Sequence, residues 1–174
     1  MTKEDLIEFI ESWENLPYLL NEITKTPEYY LMLMEIALYS NNKKSWRAAY
    51  LIDQINDNNP KLLNPFLNKI IEQVKIEKSQ SKKRHFLKLI SQNELPPEQQ
   101  GFMLDFCMKT FSSAKEDLAV RVHAMQILYN ISEKEPVLKP EILALIDYEM
   151  ENHSSAGIIL RGNKLAGKLR MQIR

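Results

Sequence analysis

Apolar residues recur three and four positions apart along most of this chain, most clearly from Asp117 to Ile131, DLAVRVHAMQILYNI. Val120, Ala124, Ile127, Leu128 and Ile131 fall on one helical stripe, with a small residue at Ala124 among large ones. Such spacing predicts a buried amphipathic helix. Earlier in the chain, residues 3–13 put Leu6, Ile7, Ile10 and Trp13 on a stripe, with acids in the first turn. The stretch 16–25, interrupted by Pro17, reads as an irregular connector. Thr26-Pro27 then reads as an N-cap followed by a first-turn proline, opening a helix that stops near Asn41-Asn42. A second helix is expected from about Ser45 to Asp57.

The same pattern then recurs. Asn59-Pro60, Leu95-Pro96-Pro97 and Glu135-Pro136 each open a leading helix, and each is followed by a polar loop and a second helix. Pro65 and Pro140 lie one turn in, where they shift the helix start or kink its first turn. At a spacing of 38, Ala48, Phe86, Ala124 and Gly162 align, followed by Leu51, Leu89, Ile127 and Leu165. Ile52, Ile90, Leu128 and Ala166 come next, and Ile55, Asn93, Ile131 and Leu169 close the stripe. Asn93 alone breaks it. The leading helices align at 37 through Tyr29, Phe66 and Met103, with Leu33, Ile70 and Cys107 in step. Repeated helix pairs of this length are the signature of an α-solenoid, in which each pair buries its apolar face on its neighbours. A plain helical bundle is the competing reading.

Composition narrows the class. Four glycines in 174 residues argue for helices over a turn-rich β fold. A single cysteine, Cys107, cannot form an internal disulfide and suits a reducing compartment. The first residues, MTKEDLIEFIES, lack the continuous apolar core of a secretory signal, and no apolar run is long enough to span a membrane. A cytoplasmic location without membrane attachment is expected. Net charge is zero but banded. Residues 1–40 carry two bases and eight acids, and 41–90 carry eleven bases and four acids. Residues 91–151 carry five bases and eleven acids, and 152–174 carry five bases and no acid. Either solvated helix faces differ by chance, or a neutral total conceals a basic zone on the surface.

A proline-led helix, a short polar loop and a helix of the form V-R-x-x-A-x-x-x-L-x-x-L resemble the HEAT repeat of the armadillo-like superfamily. Val120, Arg121, Ala124, Leu128 and Ile131 carry the resemblance, and the other three units match more loosely. It covers about 26–173. It implies an all-α fold, an α-α superhelix of about four helix pairs over 26–57, 58–94, 95–134 and 135–174, with 1–25 as an N-terminal helical cap. Together these make one repeat domain. The chain also resembles a set of small bacterial helical proteins, some labelled adenylosuccinate lyase. The residues do not support that label, because neither the serine-rich catalytic loop nor the lysine–asparagine motif of that enzyme family is present.

No motif commits the chain to a reaction. Gly162 to Leu169, GNKLAGKL, falls one residue short of a phosphate-binding P-loop and has Leu169 where Ser or Thr must ligate magnesium. Its leucines instead fit the apolar stripe of a helix. His85, His123, His153 and Cys107 are too few and too scattered for a metal site of known spacing. Cys107 sits in an apolar run and reads as a small buried hydrophobe. Neither a cofactor nor a metal is expected.

The strongest functional signal is a face. If 48, 51, 52 and 55 are buried, then 47, 50 and 54 form an adjoining ridge. Through the four second helices that ridge reads Arg47, Tyr50, Gln54; His85, Lys88, Gln92; His123, Gln126, Asn130; and Arg161, Lys164, Lys168. None of the twelve is acidic. The resemblance implies that this ridge lines a concave groove, where amides hydrogen-bond a peptide backbone and cations hold carboxylates or phosphates. The bland alternative is a solvated polar face. The expected function is a non-catalytic interaction module that holds an acidic or extended segment of another protein. Nucleic acid ranks second, by resemblance to the HEAT-like DNA glycosylases, with Asp53 as the one acid near the ridge placed for a glycosylase role, which its register does not secure. Oligomeric state is open.

Overall fold

The computed structural model describes residues 1–153 and 155–173, which form ten α-helices and no strand. The helices are α1 (Lys3–Ser12), α2 (Leu16–Lys25), α3 (Pro27–Tyr39), α4 (Trp46–Asn58) and α5 (Leu67–Val74). They continue as α6 (Gln80–Ser91), α7 (Gln100–Phe111), α8 (Leu118–Lys134), α9 (Lys139–Asn152) and α10 (Ala156–Gln172). Two compact units emerge, Met1–Leu89 and Ile90–Arg174, divided near the end of α6.

In the first unit, α3 packs on α1, α2, α4 and α5. The stretch 16–25 is a helix, not the irregular connector expected. Pro17 lies in its first turn, where the missing N–H is one that no helical carbonyl would have paired. Thr2 and Asp5 close a capping box at the start of α1. At the other end Trp13 takes a left-handed φ of 60° and donates its N–H to Phe9 O. That conformation costs a bulky residue about 1–2 kcal/mol. The Trp13 ring offsets the cost by packing on Trp46 and Tyr50, with centroids 6.2 and 5.6 Å away.

Pro65 delays its helix as expected: two 3-10 turns, Pro60–Leu62 and Asn64–Phe66, precede α5. Pro140 sits in the first turn of α9, after a 3-10 turn over Pro136–Leu138. Thr26 occupies the N-cap position of α3, but its side chain makes no capping bond.

The repeat register matches the burial. Ala48, Leu51, Ile52 and Ile55 of α4 are buried, as are Phe86 and Leu89 of α6. In the second unit, α7 packs on α8, and α8, α9 and α10 pack on one another. Ala124, Ile127, Leu128 and Ile131 are buried there, together with Leu165, Ala166 and Leu169. Each large aliphatic side chain buried in this way contributes about 1.5–3 kcal/mol. Asn93 departs from the stripe because α6 has already ended at Ser91. Gly162 occupies the small-residue position because α9 crosses there: a Cβ at Gly162 would meet Met150 Sδ at 2.5 Å and Cγ at 2.9 Å. The P-loop-like letters are thus interior turns of α10.

Two buried charges tie α8 to its neighbours. Arg121 donates from Nε to Phe111 O at the end of α7, and from its guanidinium to Glu149 Oε2 on α9, each at 2.8 Å. His153 is a second neighbour of Glu149, with Nδ1 2.6 Å from Oε2.

Gly162→Val is expected to lower unfolding free energy by about 1–3 kcal/mol through overpacking on Met150. Gly167→Ala, whose Cβ meets nothing within 4 Å, should raise it by about 0.5–1 kcal/mol through helix propensity. Urea unfolding of both variants checks the register, which is wrong if the two behave alike. Arg121→Leu, which takes the guanidinium from buried Glu149, should cost about 3–5 kcal/mol. Adding Glu149→Leu should restore much of that loss, and the same unfolding experiment as a double-mutant cycle reads it.

Candidate interaction surface

On α4, one ridge residue folds back towards α1. Arg47 donates from one guanidinium nitrogen to Ile10 O and Glu11 O, at 3.1 and 2.9 Å. Its guanidinium carbon lies 4.8 Å from the Trp13 ring centroid and 5.7 Å from that of Trp46. Tyr50 packs on Trp13 and edge-on against His85, 5.7 Å away. The result is a half-buried patch of aromatic rings around one cation.

Beneath this patch lies a residue whose partners the ridge pattern did not identify. Asp53 is 4% exposed, within 3.0 Å of His85 Nδ1 and 2.7 Å of Lys88 Nζ. His85 Nε2 faces the Arg84 guanidinium at 3.2 Å, which as a donor leaves Nδ1 to donate to Asp53. Burial alone would raise the Asp53 pKa. The hydrogen bonds and charges of His85 and Lys88 outweigh it, and the carboxyl sits below its ordinary value. The available sequence signal was a lone acid between two core positions, Ile52 and Ile55. So two ridge residues of the first unit, His85 and Lys88, face an internal carboxylate, while Gln54 is half-buried.

In the second unit the ridge forms a hydrogen-bonded run. Arg161 on α10 donates to Gln126 Oε1 at 2.7 Å, Gln126 donates to Asn130 Oδ1 at 2.9 Å, and Asn130 donates to Ser91 O at 2.8 Å. Lys168 lies over the Tyr129 ring, 5.5 Å from its centroid. His123 is half-buried, Lys164 and Lys168 are exposed, and Gln92 is exposed just beyond the end of α6. Ridge residues are therefore brought together within each unit.

Other candidate chemistry falls away. Cys107 is fully buried, and burial pushes its thiol pKa up, away from the reactive thiolate. Among the described residues, no three His, Cys, Asp or Glu side chains gather to hold a metal ion, and no helix is long and apolar enough to cross a membrane.

A family model described as a HEAT repeat domain matches residues 2–168, which take in the paired helices and their buried stripes. The chain belongs to the HEAT-repeat family. No curated protein and no solved structure matches it. HEAT repeats generally mediate protein interactions and are typically non-catalytic.

Because the Asp53 pKa is lower folded than unfolded, its stabilisation is complete above the unfolded value of about 4. It is lost as pH falls through the depressed folded value. Asp53→Asn should therefore melt lower than the parent at pH 7, with the gap closing below about pH 4. Melting curves from pH 7 to 2 test this. Parallel curves would show that Asp53 is not the group coupling stability to acid.

Proposed function

We propose that this HEAT-repeat protein is a non-catalytic interaction module that binds an acidic or extended segment of another protein along the second-helix ridge. One observation carries the reading: the carboxylate nearest the first-unit ridge, Asp53, is buried and faced by His85 and Lys88. The exposed ridge side chains are amides and cations. Such side chains offer donors to carboxylates and backbone carbonyls alike.

Nucleic acid is the second reading, favoured by the aromatic patch of Trp13, Trp46 and Tyr50 around Arg47. Bases stack on such rings. Against it, these rings already pack on one another, and the guanidinium is held by α1 carbonyls.

Titrating the full chain with a fluorescein-labelled acidic peptide, and in parallel with short single- and double-stranded DNA, separates the readings. Peptide binding that weakens with salt is expected. Lys164→Glu with Lys168→Glu should reduce it about tenfold at low salt. Tighter binding of DNA, with a steep salt dependence, would replace the protein partner by nucleic acid. Binding of neither would remove the ridge as a binding surface.

A further inference from the structure

Most large apolar side chains exposed on this protein, such as Val137, Ile76 and Tyr39, need no partner to explain them singly. Leu118 and Leu160 differ. They share an open depression of about 700 Å³ between the first turns of α8 and α10, with Val122 in the same wall. Leu160 is 78% exposed and Leu118 is 44% exposed. Gly157 lets α10 come close to Leu118: a Cβ there would lie 3.2 Å from Leu118 Cδ2. Three ridge residues, His123, Arg161 and Lys164, line the same depression, and no carboxylate does. Arg161 is held in place by its hydrogen bond to Gln126.

We infer that this depression is the docking site for a short amphipathic segment of another protein, whose apolar residues seat on Leu118, Val122 and Leu160. Its flanking carboxylates meet Arg161 and Lys164. The inference rests on the interaction-module reading and narrows it to one place and one partner chemistry. Charge complementarity selects the acidic partner, since every charged group lining the depression is basic. The apolar wall selects against nucleic acid, whose phosphates would satisfy the cations and leave Leu118 and Leu160 uncovered. A helix with anchors three and four residues apart fits a wall built from two helices.

The test uses the full chain and two fluorescein-labelled 14-residue peptides of equal negative charge. One carries leucines at helical spacing among glutamates, and the other carries serines in their place. Anisotropy at low salt should detect the leucine peptide and show the serine peptide bound about tenfold more weakly. Leu160→Ser should reduce leucine-peptide binding about tenfold. Lys164→Glu should reduce it about fivefold. Circular dichroism melting should be unchanged for both variants, because both side chains are exposed.

If both peptides bind equally and Leu160→Ser has no effect, the docking site is wrong while the acidic-partner reading stands. If neither peptide binds, both fail. If light scattering shows mass rising with concentration, and Leu160→Ser abolishes the rise, the occupant is a second copy of this chain and the foreign partner is overturned.

Discussion

A helix ends with carbonyls that its own backbone cannot pair, and in this protein side chains from later helices supply the missing donors. Arg47 of α4 reaches Ile10 O and Glu11 O at the end of α1. Lys82 of α6 reaches Ser40 O at the end of α3, at 2.9 Å. Asn130 of α8 reaches Ser91 O at the end of α6, and Arg121 of the same helix reaches Phe111 O at the end of α7. Three of the four donors are cations, the charge that the negative end of a helix dipole favours. The Arg47, Lys82 and Asn130 bonds span 36 to 42 residues, close to the 38-residue spacing of the apolar stripe. The polar contacts therefore keep step with the apolar ones. Lys82 bears a cost, since burial lowers its pKa despite the charge of Glu77.

This constraint changes what the ridge means. Arg47, Gln126, Asn130 and Arg161 all fall on the ridge that the repeat defines, yet each already bonds within its own unit. A residue that closes a helix end is also held in one geometry, which lowers the entropy lost when it meets a ligand. Structural and binding roles are compatible for Arg161, which keeps an open depression beside it. They compete at Arg47, whose guanidinium is committed to α1 carbonyls and flanked by two tryptophan rings.

Apolar periodicity was enough to read the burial pattern. Ala48, Phe86, Ala124 and Gly162 share a register position, and all four are buried despite very different volumes. The sequence could align them but could not say why Gly162 is the smallest, because Met150 comes from another helix. Proline misled at 16–25, where one residue reads the same whether it breaks a helix or opens one; only the first-turn position of Pro17 decides. The polar side was less legible for a general reason. Periodicity tells which way a side chain points, but a hydrogen-bond acceptor about one repeat away leaves no local trace. Asp53 shows the limit: its isolation among apolar residues marks it as unusual, while its pairing with His85 and Lys88 depends on how α6 lies beside α4.

The same reasoning revises the weight of the charge bands. Residues 41–90 hold the largest basic excess, yet several of its cations are spent internally: Arg47 and Lys82 on carbonyls, Lys88 on Asp53 and Lys75 on Glu72. Residues 152–174 hold fewer cations and no acid. Arg170 there pairs with Asp147, but Lys164 and Lys168 stand exposed on α10, Lys164 beside the apolar wall formed with α8. A partner responds to the potential of cations that remain solvent-facing, not to their number in a stretch of sequence. By that measure the longer band shrinks to a few exposed lysines such as Lys43, Lys61 and Lys78, interspersed with acids, whereas the short C-terminal band keeps Lys164 and Lys168 with no acid of its own.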